Sequence, residues 1–227
     1  MKSNNKNDSK DKSIIKKPII REFLPGFISL IGCVLSVPAI AFLVIKATNY
    51  SAMHIITYSL FGASIFLLYL FNTLYYFISK DGNEVKALKK FTHVTGYFYL
   101  IGLFIPYMLC IITGPWGWSM FGVITMLGLL GIIFSSIWVN WPVALRITYL
   151  SLAVPAIAIA IGLISNKFYC LEVSDLFIIE MVLFIFTYLL RYIKRPKFRF
   201  FSYKMIALFF SILLNIANYM ILNKYFD

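Results

Sequence analysis

Seven long apolar runs, separated by short polar segments, account for most of the chain. They cover residues 23–45, 54–78, 94–113, 118–137, 144–165, 175–192 and 200–222. Each approaches the ~20 residues with which a helix crosses about 30 Å of hydrocarbon. Within the runs, polar residues do not alternate with apolar ones as barrel strands require. Unpaired backbone groups are costly in lipid, which leaves the helix as the only candidate. The pattern predicts an all-α, polytopic transmembrane bundle of seven helices. Ahead of the first run, residues 1–21 are polar and lysine-rich, with neither the apolar core nor the cleavage site of a secretory signal. They are expected to form a disordered basic cytoplasmic tail, and residues 22–227 the transmembrane domain.

Composition agrees with that pattern. The chain is 61% hydrophobic and only 13% charged, whereas a soluble domain is about a quarter charged. A net charge of +12 raises nucleic acid as a partner, and the placement of the charges argues against it. The basic residues cluster at the ends of the apolar runs, as topology signals do. Of the 21 lysines and arginines, 18 fall on the side of the N-terminal tail. Only Lys46, Lys167 and Lys224 fall on the other side. This bias predicts a cytoplasmic N-terminus and an outside C-terminus, and the expected location is the cell (plasma) membrane. The expected partners are the lipid bilayer and anionic headgroups along the basic tail and loops.

The tryptophans bracket the fourth run, Trp116 and Trp118 before it and Trp138 and Trp141 after it. Trp118 and Trp138 are 20 residues apart, which is about 30 Å along a helix. An aromatic belt marks two membrane interfaces in this way. Pro38, Pro106 and Pro155 lie inside runs one, three and five and are expected to kink them. Gly122, Gly128 and Gly131 in run four are expected to permit close helix approach. Cys33 and Cys110 read as small apolar side chains, with a bond from Cys110 to Cys170 as the alternative.

Several of these residues are shared with a known family. Gly114, Pro115, Trp116, Gly117 and Trp118 form a G-P-W-G-W turn between runs three and four, preceded by Gly102 and Pro106 at a fixed spacing. Residues 69–75 close run two with a tyrosine-rich segment. Over residues 21–211 the chain resembles the haemolysin III family, relatives of the progestin and adipoQ (adiponectin) receptors. The resemblance implies seven spans with an inside N-terminus. It also implies a zinc ion near the cytoplasmic side and a relation to membrane amide hydrolases such as alkaline ceramidases. The family's polar positions are largely substituted here. Its first-span asparagine and histidine read Pro25 and Ser29; its second-span serine and histidine read Asn72 and Tyr76. The aspartate ahead of His93 reads Thr92, and the H-x-x-x-H pair of the last span reads Lys204 and Leu208. Glu22 and His93 remain.

A catalytic zinc needs three protein ligands, and this chain has two histidines, His54 and His93. They are expected at opposite ends of the bundle, too far apart to share an ion. No cofactor and no catalytic or metal-ligating set is therefore expected. Lys204 is expected to snorkel to the headgroups, with a pair to Glu22 as the alternative. Glu180 lies inside run six and is the candidate intramembrane polar site, expected as a protonated carboxyl bonded to a neighbouring helix. The expected function is binding, sensing or structural support within the membrane. The alternatives are a zinc-dependent amide or lipid hydrolase with a rearranged site, and a pore-former.

Overall fold

A computed structural model of the chain describes residues 20–78, 83–112, 114–137, 182–183 and 203–224. Those residues are helical apart from one short turn, and no strand occurs among them. The helices are α1 (Ile20–Ala47), α2 (Ala52–Ile78), α3 (Asn83–Pro106), α4 (Gly114–Ile137) and α5 (Tyr203–Lys224). A π-helical turn, Tyr107–Ile112, continues α3. Among the described residues, five helices are long and apolar enough to cross a bilayer. Two of the expected spans, at 144–165 and 175–192, fall outside the described residues, except for the helical Val182 and Leu183. So do the 1–19 part of the tail, Trp138, Trp141, Pro155, Cys170 and Glu180.

Local chemistry sets the helix ends. After Ala47 the amides of Thr48, Asn49 and Tyr50 bond back to the carbonyls of Val44, Lys46 and Ala47 at 3.1–3.2 Å, occupying carbonyls that a helix C-terminus leaves bare. Ser51 then opens α2: its carbonyl accepts from the His54 amide at 3.0 Å, and its hydroxyl meets His54 Nδ1 at 2.8 Å. Serine is favoured at such a position. The third helix begins earlier than its apolar run, at Asn83 instead of 94. Lys86, Lys89 and Lys90 thus lie on α3 and not in a loop. Hydropathy marks only the part of a helix that lies in hydrocarbon, and a helix continues through headgroups wherever its backbone bonds remain closed.

Pro106 does more than kink its helix. Proline has no amide to donate, and the chain passes directly from α3 into the π turn. Such an excursion absorbs a lost backbone bond without ending the helix. Gly114 follows with φ +70°, a conformation costly for any residue with a Cβ. Pro115, whose missing amide is harmless in a first turn, then starts α4. The G-P-W-G-W motif is therefore the corner that reverses the chain. Trp116 and Trp118 are exposed at this corner, where an interfacial belt would place them.

From α1 to α4, each helix packs antiparallel on the next. A Cβ on Gly26 would lie 3.1 Å from Tyr76 Cβ, and one on Gly32 2.9 Å from the Tyr69 ring. Gly102 of α3 abuts Ser64 of α2, and Gly117 abuts the Met108 carbonyl. Gly128 and Gly131 meet Ile101 and Tyr97, as the close approach expected for them requires; Gly122 meets nothing within 4 Å. α5 returns against α1, parallel to it, with the Tyr219 and Phe42 rings tilted at 6.3 Å, and it reaches α2 through hydrogen bonds to Tyr69. Among the described helices, α3 with its π turn is the most buried, and residues 99–108 are all buried. Lipid is as apolar as leucine, so van der Waals fit and interhelical hydrogen bonds hold such helices together.

Candidate functional site

The positions that correspond to the family's zinc ligands converge at one end of the bundle. Tyr76 closes α2 and Lys204 opens α5, and the Lys204 ammonium lies over the Tyr76 ring, 5.6 Å from its centroid. Gly26 of α1 packs closely against Tyr76. One turn deeper lie Asn72 on α2 and Leu208 on α5, both buried. Asn72 Nδ2 donates to the Leu68 carbonyl at 2.8 Å. Ser29 Oγ donates to the Pro25 carbonyl at 2.9 Å. Thr92 Oγ1 donates to the Leu88 carbonyl at 3.0 Å, with the Phe71 carbonyl at 3.5 Å. Glu22 lies in the first turns of α1. His93, half-buried, is on α3 near the same end.

Lys204 is exposed, as snorkelling requires, and it also has an aromatic partner. A cation over a ring face is attracted by the ring's quadrupole. Zinc takes thiolate, imidazole or carboxylate ligands in a tight shell. A phenol, an ammonium, an aliphatic chain and an amide already bonded to its own helix do not fit that ion. Among the described residues, no three of His, Cys, Asp and Glu stand close enough to hold a metal.

His54 stands at the opposite end, half-buried between Tyr50 and Tyr58, with ring centroids at 5.5 and 6.3 Å. Nearby, Thr57 Oγ1 and Cys110 Sγ are 3.1 Å apart. Cys33 is buried within α1.

A polar network in the centre of the bundle is absent from the reading of the sequence. Asn215 of α5 donates to the Tyr69 hydroxyl of α2 at 2.8 Å and to the Ser211 carbonyl at 3.0 Å, and accepts from the Tyr99 hydroxyl of α3 at 2.9 Å. Tyr69 in turn donates to Ser211 Oγ at 3.4 Å. Farther along, the Tyr107 hydroxyl donates to Asn218 Oδ1 at 2.6 Å. One signal could have revealed it. Lys204, Leu208, Ser211, Asn215 and Asn218 recur at alternating steps of four and three, which is one helix face. That face begins at the substituted ligand positions and runs down the inside of the bundle.

Between α1, α2 and α5 lies a cleft of about 230 Å³, walled by Leu35, Leu43, Phe61, Ile65 and Ile216, with Tyr69 and Asn215 at its floor.

Comparison with known proteins agrees with the geometry. Residues 18–221 match the family model described as Haemolysin-III related. The chain is 36% identical over 114 residues to "Hemolysin-3" of Bacillus cereus, covering 48% of this chain and 50% of the relative. It is 36% identical over 111 residues to "Hemolysin-3 homolog" of Bacillus subtilis (strain 168), covering 48% of this chain and 52% of the relative. The alignment thus spans about half the length of each of these curated relatives. With a bundle of membrane-length helices, the corner motif at Gly114 and a family match over nearly its whole length, the chain belongs to the Haemolysin-III related family.

Proposed function

We propose that this chain keeps the family's bundle without its zinc and serves a binding, sensing or structural role in the membrane. The observation that carries this reading is the Lys204 ammonium over the Tyr76 ring at 5.6 Å. Two positions that would hold a dication instead hold a monocation and its aromatic partner. A dication placed there would meet like charge and no imidazole. A hydrolase would need ligands from elsewhere in the chain.

A second reading, membrane lysis or pore formation, is favoured by the names of the two Bacillus relatives. The central network argues for a closed interior, since its hydroxyls and amides bond one another across the helices.

We also infer seven spans, with the basic end cytoplasmic and the plasma membrane as the site. Parity supports the number. α4 is antiparallel to α3, and α5 is parallel to α1, so the chain leaves α4 and enters α5 at the same end of the bundle. That parity supports an odd number of spans, and the two further apolar runs in the sequence between α4 and α5 make seven our reading.

Elemental analysis of the detergent-purified protein in chelator-free buffer tests the main reading. No stoichiometric zinc is expected. The triple variant Tyr76→His, Lys204→His, Leu208→His is expected to gain up to one zinc per chain. One zinc per chain in the unaltered protein would overturn the reading and make hydrolysis of lipid amides the next assay.

A further inference from the structure

We propose that the cleft between α1, α2 and α5 holds one acyl chain of a glycerophospholipid from the leaflet on the Lys46 side, with the lipid's phosphate at Lys46. The cleft opens toward lipid, because Leu35 and Ile216 on its rim are 53% and 47% exposed. Its lining is apolar apart from a few groups, of which those of Ser36, Tyr69 and Asn215 already make hydrogen bonds. Ser36 Oγ donates to the Cys33 carbonyl at 2.7 Å, and both amide hydrogens of Asn215 are taken by Tyr69 and Ser211. A ligand with a polar head would gain little at that floor, whereas a hydrocarbon chain gains contact along the whole length.

Size narrows the occupant. The cleft measures about 230 Å³. An apolar cavity of about 150 Å³ accepts benzene, whereas pockets for drug-sized ring systems begin near ~300 Å³. A single slim chain, lying partly in the open cleft and partly against lipid, suits that size better than a ring system. Length narrows it further. Along α1 the lining runs from Gly32 to Leu43, about 16 Å at 1.5 Å per residue. That is half of a hydrocarbon core of about 30 Å, the depth of one leaflet.

Charge identifies the end that meets the headgroup. One turn beyond Leu43, Lys46 Nζ lies over the Phe42 ring, 5.6 Å from its centroid. Phe42 packs on Tyr219, which lines the cleft. A cation therefore stands at the mouth of an apolar slot that ends one leaflet deep. The chemistry recognised is a phosphate attached to a long alkyl chain.

This proposal names a ligand class for the binding role above but does not depend on the absence of zinc, so a zinc-bearing protein that still held the lipid would leave it standing. The test is native mass spectrometry of the full chain in detergent, titrated with phosphatidylglycerol. One retained phosphatidylglycerol per chain is expected. Ala39→Phe, which fills the cleft from α1, is expected to lower the retained fraction at least fivefold, with an unchanged thermal unfolding midpoint reporting intact folding. If that variant does not fold, Ile216→Phe from the α5 rim serves the same purpose. Lys46→Gln is expected to weaken retention of phosphatidylglycerol while leaving the unfolding midpoint in place. Equal retention by a folded cleft-filling variant, or retention of oleic acid in preference to phosphatidylglycerol, would overturn the proposal.

Discussion

Gly102 and Ser64 show how tightly single residues are held where α3 crosses α2. A methyl group on Gly102 would collide with the Ser64 side chain, whose hydroxyl is tied to the Phe61 carbonyl at 2.7 Å. Gly102→Ala is therefore expected to destabilise the protein by about 1–3 kcal/mol, the usual cost of overpacking. Adding Ser64→Gly removes the colliding atoms and should restore most of that loss, read as unfolding in mixed micelles. No recovery would mean that the glycine matters for backbone reasons and not for space. The neighbouring motif positions were legible in the sequence for chemical reasons: Gly114 needs its positive φ, and Pro115 suits a helix's first turn. Tyr69 and Tyr99 were not legible, because a tyrosine in an apolar run looks the same whether its hydroxyl faces a partner helix or the interface.

At the scale of elements, α5 is fastened by one polar face. Tyr107 and Asn218 meet at 2.6 Å, both of them buried. Hydrogen bonds between membrane helices average about 0.6 kcal/mol in double-mutant cycles, with ~1.7 kcal/mol as the upper end. A cycle of Tyr107→Phe and Asn218→Ala is expected to return a coupling within that range, and zero coupling would mean the pair is incidental to folding. The π turn places Tyr107 for this bond, and its origin in Pro106 was readable only as a break in the helix. The form of the break depends on the neighbours, here the Met108 carbonyl against Gly117 and the Cys110 thiol beside Thr57.

The whole molecule is a sidedness problem, and the parity of its helices makes the answer testable. In intact cells an impermeant thiol reagent should label Asn49→Cys, which is exposed in the turn between α1 and α2. Lys86→Cys, exposed near the start of α3, should react only after permeabilisation. The native protein supplies the background for both. The opposite pattern would invert the orientation, and labelling of both from outside would break the antiparallel arrangement of α1 to α3. On the same scale, the substituted family positions and the proposed lipid cleft lie at different depths of the bundle, so metal content and lipid retention can be tested independently.

Run length, absence of alternation and scarcity of charge determined by themselves that the chain is a helical membrane protein, because a bilayer admits few backbone solutions. The corner motif pointed to the family by resemblance, and the structure supplies its reason in a left-handed Gly114 and a first-turn Pro115. Only the tertiary structure decided which polar groups meet. The ring of Tyr76 beneath Lys204, the bonds from Asn215 to Tyr69 and Tyr99, and the cleft below Lys46 each join residues distant in sequence. Helices in lipid have no hydrophobic gradient to orient them toward one another. Their contacts are chosen by shape and hydrogen bonding between partners, and neither can be read from one helix alone.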